Sequence, residues 1–342
     1  MATIHDVAKL ANVSIATVSR VTSNEEVVNE KTKKRVLKAM EELGYLPNSA
    51  ARTLRMAQSN IIVVLMINIK NSFFSEFIRG IEEVAREAGY YLLIGSTDGD
   101  TEKEKEYINL IRESRADGVI LTTANAQADT AIDKISQNSP MVLTFDYIPN
   151  PDIPSISIDN ESASRKITNH LVELGHHRIA HITGDMKRLQ SQTRLAGYKQ
   201  AFYQHNLLID ESLIQEGGYL LEDGYSAAQK LLAFENRPTA IYGGNDNVAI
   251  GALKAVQDAG LRVPEDIAIV GFDDIDMARY TNPGLTTIHQ PRYEIGKRAM
   301  DLLLKKIKKE KIDRPHIILE DQLMIRQSCG HALQTDSLGK NT

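Results

Sequence analysis

The chain has 342 residues, of which 42% are hydrophobic and 25% are charged, and its formal net charge is −5. This composition is typical of a globular protein, and at roughly 100–200 residues per domain the length predicts two or three domains. The single cysteine, Cys329, excludes an internal disulfide and a cysteine-based metal cluster and is typical of a reducing compartment. The first residues lack the pattern of a signal peptide, and the longest apolar run, 61–67, is far shorter than the roughly 20 residues of a membrane span. We therefore expect a cytoplasmic protein without a membrane partner.

The charge is unevenly distributed along the chain. The first 59 residues carry nine Lys or Arg and six Asp or Glu, a net charge of +3, whereas residues 60–342 carry −8. A basic segment attracts phosphate and an acidic one repels it. The positive charge is modest for this length, so it permits nucleic-acid binding by the N-terminal segment without establishing it.

Residues 3–44 carry the signals of three short helices. Apolar residues recur at helical spacing, and each predicted helix follows a side chain that can accept a hydrogen bond from the first turn. An asparagine suits the left-handed turn between the first two helices, and a glycine suits the end of the third, predicted over 30–43. The residues that carry these signals are Thr3 with Asp6, Asn12, Ser14, Asn29 and Gly44. The pattern predicts a helix-turn-helix domain.

The second helix has the side chains expected of a helix that enters the major groove of DNA. Short residues near its start let the backbone approach base edges, and Arg20 can reach a phosphate or a guanine. The candidate DNA-binding residues of this segment are Thr3, Ser14, Ile15, Ala16, Thr17, Ser19, Arg20 and Asn29. The alternative is a three-helix domain without a ligand, but the turn chemistry favours DNA binding.

This stretch closely resembles the DNA-binding head of the LacI/GalR repressor family. The segments that carry the resemblance are Thr3-Ile4-His5-Asp6-Val7-Ala8, Ala11-Asn12-Val13-Ser14, Ala16-Thr17-Val18-Ser19-Arg20-Val21 and Leu43-Gly44-Tyr45-Leu46-Pro47-Asn48. Their order and spacing make the match specific. The resemblance implies a homodimer that binds a pseudo-palindromic operator in double-stranded DNA.

Residues 50–55 resemble the hinge helix of the same family. A helix this short is unstable alone in water, so it would fold when paired with its dimer mate on DNA. The resemblance implies that Leu54 is an apolar wedge in the minor groove. It also places Ala51 where two hinge helices meet, and Arg52 and Arg55 near phosphates. The alternative is a plain amphipathic linker.

From residue 61 onward, predicted strands and helices alternate, which is typical of an α/β fold with doubly wound parallel sheets. The strands are predicted at 61–66, 91–94, 118–121, 141–143, 179–182, 240–242 and 267–270, and the helices at about 75–88, 102–114, 161–174, 193–205 and 292–308. The length suits two similar halves that divide near Asp159. The resemblance implies a periplasmic-binding-protein-like core whose chain crosses back to the first half.

We therefore predict four parts of the chain. A helix-turn-helix domain occupies 1–47, and a hinge helix with its linker occupies 48–59. An effector-binding and dimerisation core occupies 60–328, with an N-subdomain of about 60–160 and 292–328 and a C-subdomain of about 161–291. A polar tail occupies 329–342.

Doubly wound parallel sheets bind ligands at the carboxyl ends of their strands. In this chain those ends are followed by aromatic, carboxylate, amide and arginine side chains, a mixture that can stack on a flat ring and hydrogen-bond its hydroxyls. The resemblance to the LacI/GalR core implies effector contacts at Phe73, Phe74, Asp146, Arg188, Arg194, Tyr219, Asn245 and Asp273. Each residue alone is compatible with a loop or cap role, so the prediction depends on their coincidence at successive strand ends.

The effector class is predicted from resemblance alone. Residues 73–82 and 290–296 most resemble the cytidine-responsive repressor of the family. Arg188 and residues 286–291 also resemble the purine-responsive one, which binds a free base as corepressor. We therefore expect a nucleoside inducer such as cytidine, with a purine base or a sugar as the alternatives.

Other functional classes lack their sequence signals. No predicted strand is followed by a dinucleotide-binding or phosphate-binding glycine loop, and no nucleophile elbow is present. The histidines within 170–181 suit helix and turn positions better than metal binding, so we expect no enzyme activity, no cofactor and no metal. An exported solute-binding protein would share the core and is the remaining alternative. It would not show the salt-dependent DNA binding of a repressor.

Overall fold

The computed structural model describes residues 2–22, 28–45, 58–113, 115–122, 139–148 and 152–331. The chain divides into two compact units, Met1–Ser59 and Asn60–Thr342, called here the N-terminal unit and the core unit. No helix within the described ranges is long and apolar enough to cross a membrane.

The described helices of the N-terminal unit are α1 (Ile4–Leu10), α2 (Ile15–Thr22) and α3 (Glu30–Glu42). Thr3 and Asp6 form the predicted reciprocal cap of α1, and the Asn29 side chain caps the first turn of α3. Asn12 and Gly44 have the predicted left-handed backbone, with φ angles of 49° and 58°. The three helices share a core of Val7, Ala8, Ala11, Val18, Val21, Val36 and Ala39. The prediction of a helix-turn-helix domain is confirmed.

The N-subdomain of the core unit is built on a six-stranded parallel sheet. In spatial order its strands are β11 (His316–Leu319), β5 (Ser155–Ile158), β4 (Met141–Thr144), β3 (Gly118–Leu121), β1 (Ile61–Met66) and β2 (Tyr91–Ser96). The central strands β1, β3 and β4 are buried on both faces, which explains their near-continuous apolar runs. The helices that pack on this sheet are α4 (Phe74–Glu87), α5 (Thr101–Arg112) and α10 (Arg292–Ile307).

The C-subdomain is built on a four-stranded parallel sheet. Its strands are β7 (Ile214–Glu216), β6 (Ile179–Thr183), β8 (Ala240–Gly243) and β9 (Ala268–Val270), in that spatial order. Its helices are α6 (Asn160–Glu173), α7 (Leu189–Gln204), α8 (Leu221–Leu232) and α9 (Asp246–Asp258). Two helix-covered parallel sheets confirm the predicted α/β fold class, and β5, β7, α8 and α9 are among the elements that were not predicted.

The helix α7 begins earlier than predicted. It starts at Leu189, whereas the apolar pattern predicts a start at 193. Arg188 precedes it in an extended conformation and makes no side-chain cap, so the sequence carries no start signal there. The first turn of α7 therefore adds residues to the region that faces the N-subdomain.

The chain passes between the subdomains more often than predicted. After β11 it returns to the C-subdomain, where β12 (Gln322–Met324) pairs antiparallel with β10 (Thr287–His289). The Ser328 hydroxyl donates to the Ile269 carbonyl at 2.6 Å, and Cys329 is fully buried in the same core. The predicted assignment of 322–328 to the N-subdomain and of Cys329 to a polar tail is therefore wrong, because these residues complete the C-subdomain core.

Glycines let α4 and α10 pack backbone to backbone. A Cβ on Gly296 would lie 2.2 Å from the Phe77 carbonyl oxygen, and one on Gly80 would lie 2.2 Å from the Tyr293 carbonyl oxygen. We expect Gly296→Ala to force the helices apart and lower the free energy of unfolding by about 1–3 kcal/mol. The urea midpoint measures this, with Lys305→Ala at an exposed position of α10 as the control. Equal midpoints for Gly296→Ala and the wild type would contradict the prediction.

Candidate DNA interface and effector cleft

The helix α2 turns one face to solvent and the other to the core of its unit. Val18 and Val21 are buried, whereas Ile15, Ala16 and Arg20 are exposed. Ile15 is 41% exposed although it is large and apolar. A face of short or apolar side chains with one arginine suits contact with base edges in a major groove.

Other candidate DNA-binding side chains hold the helix starts. The amide and hydroxyl of Thr3 donate to Asp6 Oδ2 at 2.8 and 2.7 Å, and these hydrogen bonds lower the pKa of Asp6. Ser14 Oγ accepts from the Thr17 amide at 3.1 Å, and Asn29 caps α3. The half-buried residue Ser19 lies within α2. The candidates outside the described residues are Ala51, Arg52, Leu54 and Arg55. A DNA contact at any of these positions stays a prediction.

A cleft lies between the subdomains, where the carboxyl ends of their strands face each other. Its lining residues are Ile67, Asn68, Asn71, Phe73, Phe74, Thr122, Phe145, Gln190, Arg194, Tyr219, Asn245 and Asp273. Its volume is about 30 Å³. Pockets that hold small ligands measure roughly 300–1,000 Å³, so the walls must move apart to admit one.

The structure brings most of the predicted effector residues together. Those that line the cleft are Phe73, Phe74, Arg194, Tyr219, Asn245 and Asp273. Arg188 lines an adjoining cavity, and Asp146 is buried after β4 but lines neither space. Phe145 follows a predicted strand and was expected at the strand ends that form the site, although it was not among the predicted effector contacts. Thr122 was missed, although it directly follows β3 and the strand-end rule could have found it. Gln190 was missed because it lies in the unpredicted first turn of α7.

One wall of the cleft is aromatic. The ring centroids of Phe73 and Phe145 are 4.8 Å apart, and those of Phe73 and Phe74 are 5.1 Å apart. Phe77 lies behind them, 4.9 Å from Phe145. Phe145 has a φ of 65°, a backbone conformation that a bulky residue rarely adopts. The cluster offers flat apolar surface to a ring-shaped ligand.

Arg194 is held firmly on the opposite wall. Its guanidinium lies 3.7 Å from the Phe272 ring centroid, while Nε donates to Asn160 Oδ1 at 2.9 Å. Its Nη1 donates to the Gly244 carbonyl at 2.6 Å. Its Nη2 lies 3.7 Å from Asp273 Oδ1, which is beyond hydrogen-bond distance. A ligand hydroxyl between these two groups could accept from Arg194 and donate to Asp273.

Asp273 is a buried carboxyl whose protonation is shifted toward neutral pH. It is 5% exposed, and the Gln290 amide donates to its Oδ1 at 2.7 Å. Burial raises the pKa of Asp273 to about 6, although the positive charge of Arg194 opposes the rise. Burial, together with the nearby charge of Asp273, also raises the pKa of Asp246. The cleft thus presents a buried carboxyl beside the Arg194 guanidinium, and a polar ligand can engage both.

Hydrogen bonds cross directly from one subdomain to the other beside the cleft. Asn247 Nδ2, on α9, donates to Asn71 Oδ1 at 3.0 Å. Asn160 Nδ2, at the start of α6, donates to the Phe145 carbonyl at 3.1 Å. Any change in subdomain separation must alter these contacts.

The buried histidines are part of the core. His181 stacks on Tyr242 and Tyr198, with ring centroids 4.3 and 5.2 Å away, and burial lowers the pKa of His181 to about 4. His170 Nε2 lies 3.3 Å from Cys329 Sγ. In the described part of the chain, no group of three or more His, Cys, Asp or Glu residues could hold a metal ion.

Comparisons with known proteins cover almost the whole chain. A family model described as "Bacterial regulatory proteins, lacI family" matches residues 3–48, and one described as "Periplasmic binding protein-like domain" matches 168–329. The HTH-type transcriptional repressor CytR of Escherichia coli (strain K12) is 39% identical over 327 residues, 96% of this chain and 96% of that protein. The HTH-type transcriptional repressor PurR of Aliivibrio fischeri (strain ATCC 700601 / ES114) is 38% identical over 339 residues, 98% of this chain and 100% of that protein.

Two solved structures of transcriptional regulators also match this chain. The crystal structure of the lac repressor dimer bound to operator and the anti-inducer ONPF matches with a TM-score of 0.84 at 29% identity, covering 96% of this chain and 99% of that one. The transcriptional regulator CelR–cellobiose complex matches with a TM-score of 0.71 at 27% identity, covering 96% of this chain and 100% of that one.

A helix-turn-helix unit joined to a two-subdomain core with a cleft between its sheets defines a ligand-responsive, sequence-specific DNA-binding transcriptional repressor. The chain belongs to the lacI family of bacterial regulatory proteins.

Proposed function

We propose that the effector of this repressor is a nucleoside, with cytidine as the first candidate, and that it acts as an inducer. The observation that carries the proposal is the pairing of two unlike walls in one cleft. The phenylalanine wall offers flat surface to a planar base, and Arg194 with Asp273 offers a donor and an acceptor to ribose hydroxyls. A nucleoside combines both parts in one molecule.

A purine base or a sugar is the alternative effector. A free base would use the aromatic wall and leave the Arg194–Asp273 pair without a hydroxyl to bridge it. A sugar would use the charged pair, and the solved CelR relative is in complex with the sugar cellobiose. A nucleoside is preferred because it engages both walls.

A thermal-shift screen of nucleosides, free bases and sugars tests this proposal, because a ligand that binds only the native state raises the Tm by mass action. We expect cytidine to raise the Tm and to bind saturably in calorimetric titration. A response to sugars or free bases, with none to any nucleoside, would contradict the nucleoside effector and leave the repressor class intact.

We further propose that the repressor works in the cytoplasm as a homodimer on a pseudo-palindromic operator; the lac repressor relative has been solved as a dimer bound to operator. The effector would rotate the N-subdomains, and so align or separate the paired hinge helices, by binding one arrangement more tightly than the other. The Asn247–Asn71 hydrogen bond supports this coupling, because it joins the moving parts next to the cleft.

Effector affinity should depend on pH through Asp273. A ribose hydroxyl donates best to the ionised carboxylate, and the pKa of Asp273 is about 6. Affinity should therefore be constant above about pH 7 and fall about tenfold by pH 5, since one pH unit below a pKa leaves roughly a tenth of the group ionised. Calorimetric titration between pH 5 and 8 measures this.

The matched control for the pH effect is Asp273→Asn, which should bind weakly at every pH with a nearly flat profile. Titration of Asp273 does not unfold the protein and so cannot cause the loss of effector affinity at low pH in that way. The pKa of Asp273 in the folded protein lies above its ordinary value of 3.8. Protonation of this carboxyl therefore stabilises the fold as the pH falls from about 6 to about 4. A wild-type affinity that stays constant down to pH 5 would contradict the role of Asp273.

A further inference from the structure

A second, smaller cavity adjoins the effector cleft and brings a cation and a carboxyl together. It has a volume of about 10 Å³ and shares Ile67 and Thr122 with the cleft. Arg188 lines it from the C-subdomain, and Glu104 of α5 lines it from the N-subdomain. The two charged groups therefore face each other across the boundary between the subdomains.

Among the described residues, buried Arg188 has no carboxylate oxygen within hydrogen-bond distance. It is 2% exposed, and within the described ranges its nearest carboxylate oxygen, Asp185 Oδ2, is 3.9 Å away, which is beyond hydrogen-bond distance. The guanidinium lies against Gly99, where a Cβ would be 3.6 Å from Nη2. Its positive charge also lowers the pKa of Tyr219, against a larger increase caused by burial. Arg188 therefore lines the smaller cavity and lies close to Tyr219 in the lining of the cleft.

The opposite side of the cavity supplies an acceptor and a hydroxyl. Burial raises the pKa of Glu104, and the charge of Arg188 partly offsets the rise, so the two groups are close enough to interact. Thr122 is 3% exposed, and its Oγ1 has no hydrogen-bond partner among the described residues. A buried guanidinium and an unpartnered buried hydroxyl are costly to maintain unless a ligand engages them.

We propose that Arg188 and Glu104 read the polar edge of the effector's base and select a cytosine-type ring over a uracil-type ring; this rests on the proposed nucleoside effector. The ribose would occupy the Arg194–Asp273 end and the base would lie against the phenylalanine wall, with its polar edge directed toward the smaller cavity. The cavity is too small for that edge in this conformation, so the edge would enter as the subdomains separate and would bind between the two side chains.

The selectivity follows from the hydrogen-bond pattern of each ring. Cytosine presents an exocyclic amine beside two acceptors, so the amine donates to the Glu104 carboxylate and Arg188 donates to the ring nitrogen and carbonyl. At the position of the cytosine amine, uracil has a carbonyl oxygen. At the position of the cytosine ring acceptor, uracil has an N–H. It would therefore place an acceptor against Glu104 and a donor against Arg188. A site with such buried groups rejects the mismatched ring strongly.

The test compares the affinities of the full-length protein for cytidine and uridine by calorimetry. We expect the wild type to prefer cytidine by at least about tenfold and Glu104→Gln to reduce this preference to about threefold or less, because an amide can accept from the amine or donate to the carbonyl. Glu106→Gln, at an exposed position of the same helix, should keep the wild-type preference. Unchanged DNA binding by both variants without nucleoside would show that they fold.

The outcomes separate the two proposals. If the wild type binds no nucleoside, the proposed function and this inference both fail. If the wild type binds cytidine and uridine equally, or if Glu104→Gln keeps the full preference for cytidine, the nucleoside effector stands and base reading by Glu104 is overturned.

Discussion

Arg194→Ala is expected to abolish the response to effector while the protein still binds DNA. The substitution removes the guanidinium that faces Asp273 and its bonds to Asn160 and the Gly244 carbonyl. A hydrogen bond to a charged group contributes about 1.5–3 kcal/mol, and Asp273 is left buried without its cation. Effector affinity should therefore fall by about 100-fold or more. Calorimetry with cytidine measures the loss, and operator affinity without ligand measures the retained activity.

Lys199→Ala is the matched control for that variant. Lys199 lies on the same helix, α7, and pairs with Glu211 at the surface, so its loss should leave effector affinity unchanged. If Arg194→Ala lowers the Tm, Asp273→Asn provides a second test, because it keeps the hydrogen bonds of Arg194 to Asn160 and the Gly244 carbonyl. Normal effector affinity in both Arg194→Ala and Asp273→Asn would exclude the pair from the site.

Arg20→Ala is expected to weaken specific operator binding by about 10–100-fold and to relax sequence preference. Arg20 lies on the exposed face of α2, and an arginine that contacts guanine bidentately contributes about 1–3 kcal/mol of discrimination. An operator selected from random duplexes, together with an unrelated duplex, allows both affinity and preference to be measured by fluorescence anisotropy.

The control for the DNA prediction is Lys38→Ala on α3, which removes one exposed positive charge from the same unit. It should weaken binding to both duplexes slightly and equally. The number of counterions released on binding, obtained from the dependence of affinity on salt, should fall by about one at most. Retention of both affinity and preference by Arg20→Ala would show that α2 is not the helix that reads bases.

Local signals in the sequence predict the helix-turn-helix unit and the central strands well. Asn12, Asn29 and Gly44 each have the backbone or cap role that their chemistry indicates. The strands β1 and β3 match their predicted bounds because burial on both faces requires a continuous apolar run. The return of β12 to the C-subdomain could not be predicted in this way, since strand pairing between distant segments leaves no local pattern.

The effector site is predictable only in part, because some of its residues follow predicted strands and others have no local signal in the sequence. Residues in the loops that follow strands, such as Asn245 and Asp273, are brought to the cleft by the parallel topology. Glu104 lies on a predicted helix, but nothing in the sequence places it at the cavity, and it reaches the cavity because of how α5 packs. Gln190 depends on a helix start that has no capping residue.

The Asn247–Asn71 and Asn160–Phe145 hydrogen bonds show why effector and operator binding should be linked. Both join the subdomains at the edge of the cleft, so a ligand that separates the walls must change them. Coupling of this kind is reciprocal: if cytidine lowers the affinity for operator, operator lowers the affinity for cytidine by the same factor.

The most direct measurement is the operator affinity of the full-length protein with and without saturating cytidine. We predict that cytidine weakens operator binding by at least about tenfold, within the range of typical allosteric coupling. Operator affinity that stays the same while calorimetry shows cytidine bound would contradict control of DNA binding from the cleft.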